Sequence, residues 1–569
     1  MSRAEAAIGL APAPIGRRAN LAAMTAFWPA LLVLALAVAR QASDSLVGDV
    51  SWLITAGEAV LDGKTAYVDF LETNPPAAIF IYVPPILAAR LSGTTPEFMV
   101  ALFCFLGAGG SLALSALILR RFAPEQNVAA FAGALAVLLL LPAHAFAQRE
   151  HIAVILGLPF FAVLAARAGG AEVETALRVA AGIGAGIMMS IKPHFALMIA
   201  AAAPYFVWRI GWRRAAASLE VYVAAAICAL HAAAAILFFP AYLERIAPLV
   251  VATYLPVRYS WLAMASGAAF AAWLVSGAYL IAAARERLRN PLIATPALVS
   301  CGAMLAYFIQ GKGWSYQFYP AIALMALAVT MTIAGENVVR RFAPGAMALA
   351  AILAVLAIAP GARLGLSLVI APIGVLAIAA QNLRAAGRQK SGSADMATLA
   401  LGFVAAIVWT WLGEQDRPFS FEAKAAALAP HPKVVAITRD LNVGFPFVRR
   451  IGGVWAQRTN MLWITAGARW RIRQSGGDPQ MIAAMQPYLT LDRDMLVEDI
   501  RRNRPDIVLI SDRLDNYSDW AFADPLIAAA LKDYRFYAAD GPKGRETFLY
   551  ARSDLLPPGL KLQPSLAPK

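Results

Sequence analysis

The chain has 569 residues, of which 60% are hydrophobic and only 15% are charged. Soluble globular proteins contain about 45–50% apolar and about 25% charged residues, so this composition excludes a mainly soluble enzyme, a disordered chain and a coiled coil. It indicates a polytopic α-helical membrane protein with a soluble part. The net charge of +14 comes from short Arg and Lys clusters between apolar runs, which is typical of cytoplasmic loops rather than of nucleic-acid binding.

Apolar runs long enough to cross a bilayer recur along most of the chain. The first, 21–39, follows Arg17 and Arg18 and is longer than a signal-peptide core, so we interpret it as a transmembrane helix with a cytoplasmic N-terminus. The further candidates, some of them short, are 97–119, 127–147, 152–167, 178–191, 193–208, 216–239, 261–284, 291–310, 314–334, 342–360, 363–381 and 395–412. The sequence thus predicts about 13 spans and a C-terminus on the outer side.

Loop charges set the predicted orientation, because basic clusters fall in alternate loops on the side of the N-terminus. These clusters are Arg120–Arg121, Arg167 with Arg178, Arg209 with Arg213–Arg214, Arg285–Arg289, Arg340–Arg341 and Arg384–Lys390. The apolar segment 77–91 would invert the alternation if it crossed the membrane, and Pro84 and Pro85 interrupt it. We therefore interpret 77–91 as a re-entrant or interfacial helix.

The composition changes after residue 413, where charged residues become frequent and apolar runs shorten. The predicted strands are Lys433–Thr438, Asp506–Ser511 and Thr547–Ala551, and the predicted helical stretches lie near 480–487, 493–503 and 520–532. Strands that alternate with helices predict a small α/β domain. We expect a transmembrane region over 1–413 and an extracytoplasmic, periplasmic α/β domain over 414–569.

The loop 40–96, on the outer side after the first predicted span, is rich in acidic residues. These are Asp44, Asp49, Glu58, Asp62, Asp69 and Glu72. Apolar residues at helical spacing within the loop predict an amphipathic helix on the membrane surface. A carboxylate beside a buried pocket can serve as a general base toward a hydroxyl. Most acids in a loop are simply solvated, and Asp49 is the one that we single out.

Basic and aromatic residues gather at the predicted outer ends of the helices. They are Arg149, His151, Lys192, His194, Lys312, Tyr316 and His144. Charges at a membrane boundary are costly and mark functional sites, and cations around a cleft can hold a phosphate leaving group. Snorkelling is the alternative explanation for a single Lys or Arg, but clusters in three separate loops on one face favour a site. His144 lies within an apolar run, and we interpret it as a core histidine.

Motifs of soluble enzymes are missing from the sequence. It contains no GxGxxG, no Walker loop, no GxSxG and no HExxH, so neither ATP hydrolysis nor a serine nucleophile is supported. The five histidines are far apart, and Cys104, Cys228 and Cys301 lie far apart in apolar runs, which offers no metal-ligand spacing and no disulfide framework. We predict no cofactor; a divalent metal stays open, although no residue pattern supports one.

Four features stand in a characteristic order along the chain. They are Asp49 with Trp52 and Ala56 at helical spacing, Gly63 and Tyr67 before the acidic stretch, Asn74–Pro75–Pro76 at the start of an apolar helix, and the large domain after the last span. In this order they resemble the GT-C superfamily of integral membrane glycosyltransferases, in the style of its protein mannosyltransferase and lipid A aminoarabinose transferase branch. Val50 stands where such enzymes usually carry a second acid beside the first.

The resemblance implies an enzyme that transfers a hexosyl or pentosyl group from a polyprenyl-phosphate donor to a lipid, glycan or protein acceptor. The reaction would invert the anomeric centre on the outer face of a bacterial inner membrane, with Asp49 as general base. The phosphate of the lipid carrier would be held by Arg149, Lys192, Lys312 and His194, and the donor sugar or the polyprenyl groove would be lined by Trp314 and Tyr316. We add His151, Glu72 and Asn74 as further candidates for binding substrate or phosphate. The tryptophans of the C-terminal domain would stack on sugars or pack in its core; they are Trp455, Trp463, Trp470 and Trp520.

Two other classes of protein remain open at this point. A lipid or polysaccharide transporter, or flippase, would also combine many spans with intramembrane cations, but it usually shows an internal repeat and polar residues at the bilayer midplane. We find no repeat, and the polar clusters lie at helix ends. An assembly or sensor protein that works through its outer domain would be indifferent to loss of Asp49 or Lys312.

Overall fold

The computed structural model describes residues 28–43, 46–123, 128–266, 268–282, 285–334 and 417–556. A helical region is followed by a C-terminal domain with a five-stranded sheet. The predicted domain boundary between 413 and 414 lies outside the described residues, as do the predicted spans 342–360, 363–381 and 395–412.

The helices of the first region begin and end at local sequence signals. In chain order the α-helices are Trp28–Ser43, Gly48–Leu61, Ala77–Phe80, Val83–Ser92, Pro96–Leu119, Val128–Leu139, Arg149–Ala168, Thr175–Ile191, Ala196–Ile210, Trp212–Ala216, Leu219–Phe238, Ala247–Leu249, Trp261–Ala265, Ala268–Ala282, Pro291–Gln310 and Tyr319–Ala334. Pro291 opens one of them, where the side chain of Asn290 accepts a hydrogen bond from a first-turn N–H. Prolines suit this position because a first-turn N–H has no partner within the helix.

Four described helices are long and apolar enough to cross a membrane. They are Pro96–Leu119, Arg149–Ala168, Pro291–Gln310 and the segment Trp212–Phe238, in which the helices Trp212–Ala216 and Leu219–Phe238 are counted together. Shorter apolar helices within the described residues are Ala30–Ala42, Ala77–Ser92, Ala130–Leu139, Thr175–Ile191 and Ala272–Ile281. These apolar helices agree with the predicted membrane class, whereas the number of 13 spans stays a prediction.

Several predicted spans have different bounds in the structure. The predicted span 127–147 ends as a helix at Leu139, and a chain of turns with the short 3₁₀ helix Ala143–Ala145 follows. Pro142 explains this correction, because proline cannot continue the helical hydrogen bonds. The predicted span 314–334 begins as an α-helix only at Tyr319. The stretch 240–260, which joins the predicted spans 216–239 and 261–284, is helical over residues 240–254, with π-helical turns at Tyr242–Ile246 and Val250–Tyr254.

The C-terminal domain contains one sheet with strand order β2-β1-β3-β5-β4. The strands are β1 (Lys433–Ile437), β2 (Val454–Trp455), β3 (Ile507–Ser511), β4 (Tyr534–Asp540) and β5 (Thr547–Arg552). β1 is parallel to β2 and β3, whereas β5 is antiparallel to β3 and β4. The main helices are Trp463–Gln474 and Pro479–Asn503, which connect β2 to β3. This confirms a small C-terminal domain of strands and helices.

The C-terminal domain is docked on the helical region through polar contacts and close packing. The N–H of Leu71, in the first loop, donates to the carbonyl of Arg458 at 2.7 Å. Arg449 forms ion pairs with Glu58 and Glu97. A Cβ on Gly467 would lie 2.0 Å from the carbonyl oxygen of Thr253, so only glycine permits this approach. These contacts bring the domain against the segment that carries Asp49.

Candidate functional site

A cavity of about 390 Å³ lies between the helical region and the C-terminal domain. Its volume falls within the range of about 300–1,000 Å³ that is usual for ligand sites. Nine of the ten predicted site residues line it: Asp49, Glu72, Asn74, Arg149, Lys192, His194, Lys312, Trp314 and Tyr316. The fold thus brings together residues that are as far as 267 positions apart in the chain (316 − 49).

Asp49 lies in the first turn of the Gly48–Leu61 helix, where the partial positive charge of the helix N-terminus favours an anion. One carboxylate oxygen is 3.4 Å from a terminal guanidinium nitrogen of Arg149. The other accepts a hydrogen bond from the Gln148 amide, also at 3.4 Å. Its side chain is 25% exposed. Asp49 therefore combines loose contacts with access from the cavity, which a general base toward a bound hydroxyl requires.

Arg149 is the most deeply buried cation of the cavity, with a side chain that is 3% exposed. It begins the Arg149–Ala168 helix, one turn earlier than the predicted span. Its Nε and Nη1 atoms are buried and have no hydrogen-bond partner among the described residues. A buried donor without a partner destabilises a protein by about 1–3 kcal/mol. An anion with several oxygens could satisfy these donors.

Lys192 and Tyr316 form a second cationic part of the wall. Lys192 follows the Thr175–Ile191 helix, and Pro193 prevents that helix from continuing. Its ammonium donates a hydrogen bond to Glu150 and lies 5.7 Å from the centre of the Tyr316 ring. The Tyr316 hydroxyl is buried and has no partner among the described residues. It can therefore donate to a ligand.

Lys312 is held between two glycines in left-handed conformation, Gly311 at φ +68° and Gly313 at φ +66°. Its ammonium donates to the carbonyls of Tyr254 and Val257 and lies 4.1 Å from the centre of the Tyr254 ring. Burial, reinforced by a neighbouring arginine, lowers the pKa of Lys312 to about 7. Lys312 therefore changes charge near neutral pH.

His194 lines the same wall in a neutral form. Burial lowers its pKa to about 3, and the positive charges of Lys192 and Arg149 contribute to the same shift. Its Nε2 atom is buried and has no hydrogen-bond partner among the described residues. A neutral imidazole can donate one hydrogen bond without adding charge.

Glu72 and Asn74 shape the cavity through contacts within their own loop. The Glu72 carboxylate accepts hydrogen bonds from the Trp52 indole and from the backbone N–H of Asn74, the latter at 2.8 Å. It also accepts from the side chains of Thr73 and Asn74. These donors occupy both oxygens, so the geometry favours a role in holding the turn over direct contact with substrate.

His151 is the one predicted site residue that does not line this cavity. Its Nδ1 accepts from the N–H of Ala147 at 3.0 Å, and its Nε2 lies 2.7 Å from the carbonyl oxygen of Leu138. Both ring nitrogens are thus bonded to the backbone, and the side chain is fully buried. His144 lies 2.8 Å from the Ser315 hydroxyl.

Part of the cavity wall comes from residues that sequence reasoning did not assign to the site. The C-terminal domain contributes Leu441, Asn460, Met461 and Trp463. The Trp463 ring meets the Tyr254 ring edge to face, with centroids 6.3 Å apart. The presence of a tryptophan at position 463 was the only sequence signal for these residues. Its position beside the helical region depends on how the C-terminal domain docks. Among the described residues, no group of three His, Cys, Asp or Glu could hold a metal ion.

Comparison with known proteins identifies the fold. No protein-family model and no curated protein matches the chain. Among solved structures, it is similar to ArnT from Cupriavidus metallidurans bound to undecaprenyl phosphate, with 14% identity, a TM-score of 0.54, and coverage of 93% of this chain and 99% of that chain. The apo state of the same protein gives 16% identity, a TM-score of 0.53, and coverage of 93% and 98%.

These similarities define the class of fold. The chain has an ArnT-like fold of apolar helices with a small C-terminal sheet domain. ArnT is a lipid A aminoarabinose transferase with the GT-C fold, and at 14–16% identity the likeness confirms the predicted fold of this chain.

Proposed function

We propose that this chain is a glycosyltransferase of the bacterial inner membrane that uses a polyprenyl-phosphate sugar as donor. The observation that carries the proposal is the cavity in which the Asp49 carboxylate lies beside buried cations with unfilled hydrogen-bond donors. The solved protein of similar fold binds undecaprenyl phosphate, a ligand with a phosphate and a long apolar tail. The acceptor is a hydroxyl of a lipid, glycan or protein on the periplasmic side, where the C-terminal domain would also lie.

The chemistry that fits this arrangement is a direct displacement at the anomeric carbon. Asp49 takes the proton of the acceptor hydroxyl while its oxygen forms the new glycosidic bond. The bond between the anomeric carbon and the phosphate oxygen breaks, and its electron pair stays on that oxygen. The products are the glycosylated acceptor and the polyprenyl phosphate, and attack opposite to the leaving group inverts the anomeric centre. The proton remains on Asp49 until solvent or the product phosphate removes it.

The cationic wall suits the leaving phosphate. Arg149 offers two guanidinium donors without partners, and Tyr316 and neutral His194 each offer one further group. Lys192 adds a positive charge beside the Tyr316 ring. Donors fixed in place before the reaction stabilise the charge that develops on the leaving oxygen, which is often the largest catalytic contribution. The proposal needs no metal and no cofactor.

The test is sugar transfer by the purified protein in nanodiscs, with a panel of undecaprenyl-phosphate sugars as donors and cell-envelope lipids and glycans as acceptors. Wild type should turn over one of the donors, and Asp49→Asn should lose about two to four orders of magnitude in rate. Asp62→Asn is the matched control, since Asp62 follows the same helix but is 60% exposed and paired with Arg90.

The outcomes separate the parts of the proposal. Asp49→Asn should still bind undecaprenyl phosphate, whereas Arg149→Met should lose binding, because it removes the buried donors. Equal turnover by wild type and Asp49→Asn would eliminate Asp49 as the base. Binding with no transfer from any donor, together with movement of labelled lipid between leaflets, would favour a flippase.

A further inference from the structure

Glu150 and Lys192 form a buried ion pair behind the cavity wall. The Glu150 carboxylate is fully buried, and the Lys192 side chain is 7% exposed. They come from different helical segments, because Glu150 lies in the first turn of the Arg149–Ala168 helix and Lys192 follows the Thr175–Ile191 helix. Only Lys192 lines the cavity. Any influence of Glu150 on a ligand in the cavity must therefore pass through Lys192.

A buried lysine keeps its proton only if its surroundings stabilise the charge. Burial lowers the pKa of Lys192, and Arg149 lowers it further, whereas Glu150 and the more distant Asp49 raise it. The face of the Tyr316 ring also favours the cation, and His194 is neutral. Glu150 is the one acid among the described residues that bonds directly to the ammonium. Its loss would leave a buried charge without its counter-ion.

We infer that Glu150 is a positioning residue that keeps Lys192 charged and oriented for the phosphate of the lipid donor. The inference rests on the proposed function and names a part of the same site. An ammonium has three N–H donors, and one of them bonds to Glu150. Two donors remain for phosphate oxygens. Without Glu150, Lys192 would lose its proton at a lower pH than in the wild type. The site would then lack one of the cations that bind the phosphate.

The experiment measures undecaprenyl phosphate affinity in nanodiscs from pH 6 to pH 9. Above the lowered pKa of Lys192, the affinity of Glu150→Gln for undecaprenyl phosphate should fall by up to about tenfold per pH unit relative to wild type. The reason is that Lys192 must then take up one proton when the lipid phosphate binds. The double variant Glu150→Gln/Lys192→Met has no ammonium, so it should bind weakly and lose this extra pH dependence. Glu172→Gln removes an exposed carboxylate and should match wild type.

A second readout keeps the inference independent of lipid binding and of the proposed function. The ¹³Cε signal of Lys192, assigned by its absence in the double variant, should titrate at lower pH in Glu150→Gln than in wild type. Thermal melts show whether each variant is folded, and the double variant, which lacks both charges, should fold even if Glu150→Gln does not. In that case Glu150→Asp replaces Glu150→Gln as the single variant. It keeps the carboxylate charge but lengthens the contact with the Lys192 ammonium, so the pKa of Lys192 should fall by a smaller amount.

The possible results have distinct meanings. An equal loss of affinity at every pH, or an unchanged Lys192 titration in folded Glu150→Gln, would overturn the inference and leave Glu150 a structural role. The wild type could fail to bind undecaprenyl phosphate while the Lys192 titration still shifts as expected in Glu150→Gln. That result would count against the proposed function and not against the role of the ion pair.

Discussion

Replacement of Arg449 by methionine should undock the C-terminal domain from the helical region. Arg449 bonds to Glu58 at 2.6 Å and 3.3 Å, to Thr55 at 3.1 Å and also to Glu97. Its side chain is 14% exposed, compared with 28% for Glu58 and 35% for Glu97. Methionine keeps much of the length but removes the charge, so two carboxylates would face each other without a cation.

The magnitude follows from the two ionic contacts. Hydrogen bonds to charged groups contribute about 1.5–3 kcal/mol each. Because both carboxylates are partly exposed and screened by solvent, we take the lower bound for each, which gives about 3 kcal/mol. That corresponds to a change of about 100-fold in the docking equilibrium.

The assay is hydrogen exchange at Leu71, whose N–H crosses the interface to the Arg458 carbonyl. Its exchange should accelerate by about 100-fold in Arg449→Met, with a parallel loss of sugar transfer. Arg535→Met is the control, because Arg535 is exposed and bonds only to carbonyls of its own segment. Adding Glu58→Gln and Glu97→Gln should restore part of the protection. Unchanged exchange at Leu71 in folded Arg449→Met would refute this account of docking.

Three further predictions concern protonation and unfilled hydrogen bonds. Burial and the charge of Arg258 lower the pKa of Lys312 to about 7, so the affinity for undecaprenyl phosphate should fall as pH rises from 6 to 8. Titration calorimetry should show that Lys312→Met lacks this part of the pH dependence. Burial raises the pKa of Asp492 to about 6 from an unfolded value of 3.8, so the folded state holds this proton more tightly. The free energy of unfolding should therefore fall by up to about 3 kcal/mol between pH 4 and pH 6.5. Denaturant titrations at several pH values should show that this decrease is missing in Asp492→Asn. Tyr316→Phe removes a buried hydroxyl without a described partner; its melting temperature should stay the same or rise, while lipid-phosphate affinity falls about tenfold.

The helical class and most of the cavity could be predicted from the sequence, because charge in apolar surroundings is a strong local signal. Arg149, Lys192 and Lys312 each stand at the end of an apolar run, and the fold brings all three to the same cavity. The role of Asp49 came from the resemblance to the GT-C superfamily, in which Asp49 stands with Trp52 and Ala56 at helical spacing. Strands β1 and β3 were readable as runs of buried β-branched and apolar residues.

The remainder depended on contacts that local sequence does not encode. His151 has the same side chain chemistry as His194, but two backbone groups occupy its ring nitrogens. Strand β2 has two residues, too few for any periodicity. Trp463 could stack on a sugar or pack in the core, and its position beside Tyr254 arises from docking of segments more than 200 residues apart. The end of a helix at Leu139 was obscured because the apolar run continues to Leu141.

Docking also explains why the C-terminal domain belongs to the site. Asn460 and Trp463 lie close behind the loop whose Arg458 carbonyl accepts the Leu71 N–H, and Leu71 directly precedes Glu72. One interface therefore positions both the cavity residues of the C-terminal domain and the loop that carries Glu72. Because Arg449 bonds to the helix that carries Asp49, movement of the domain would also displace the proposed base. The domain thus covers part of the cavity, and exclusion of water there would strengthen the electrostatic interactions on which the proposed transfer depends.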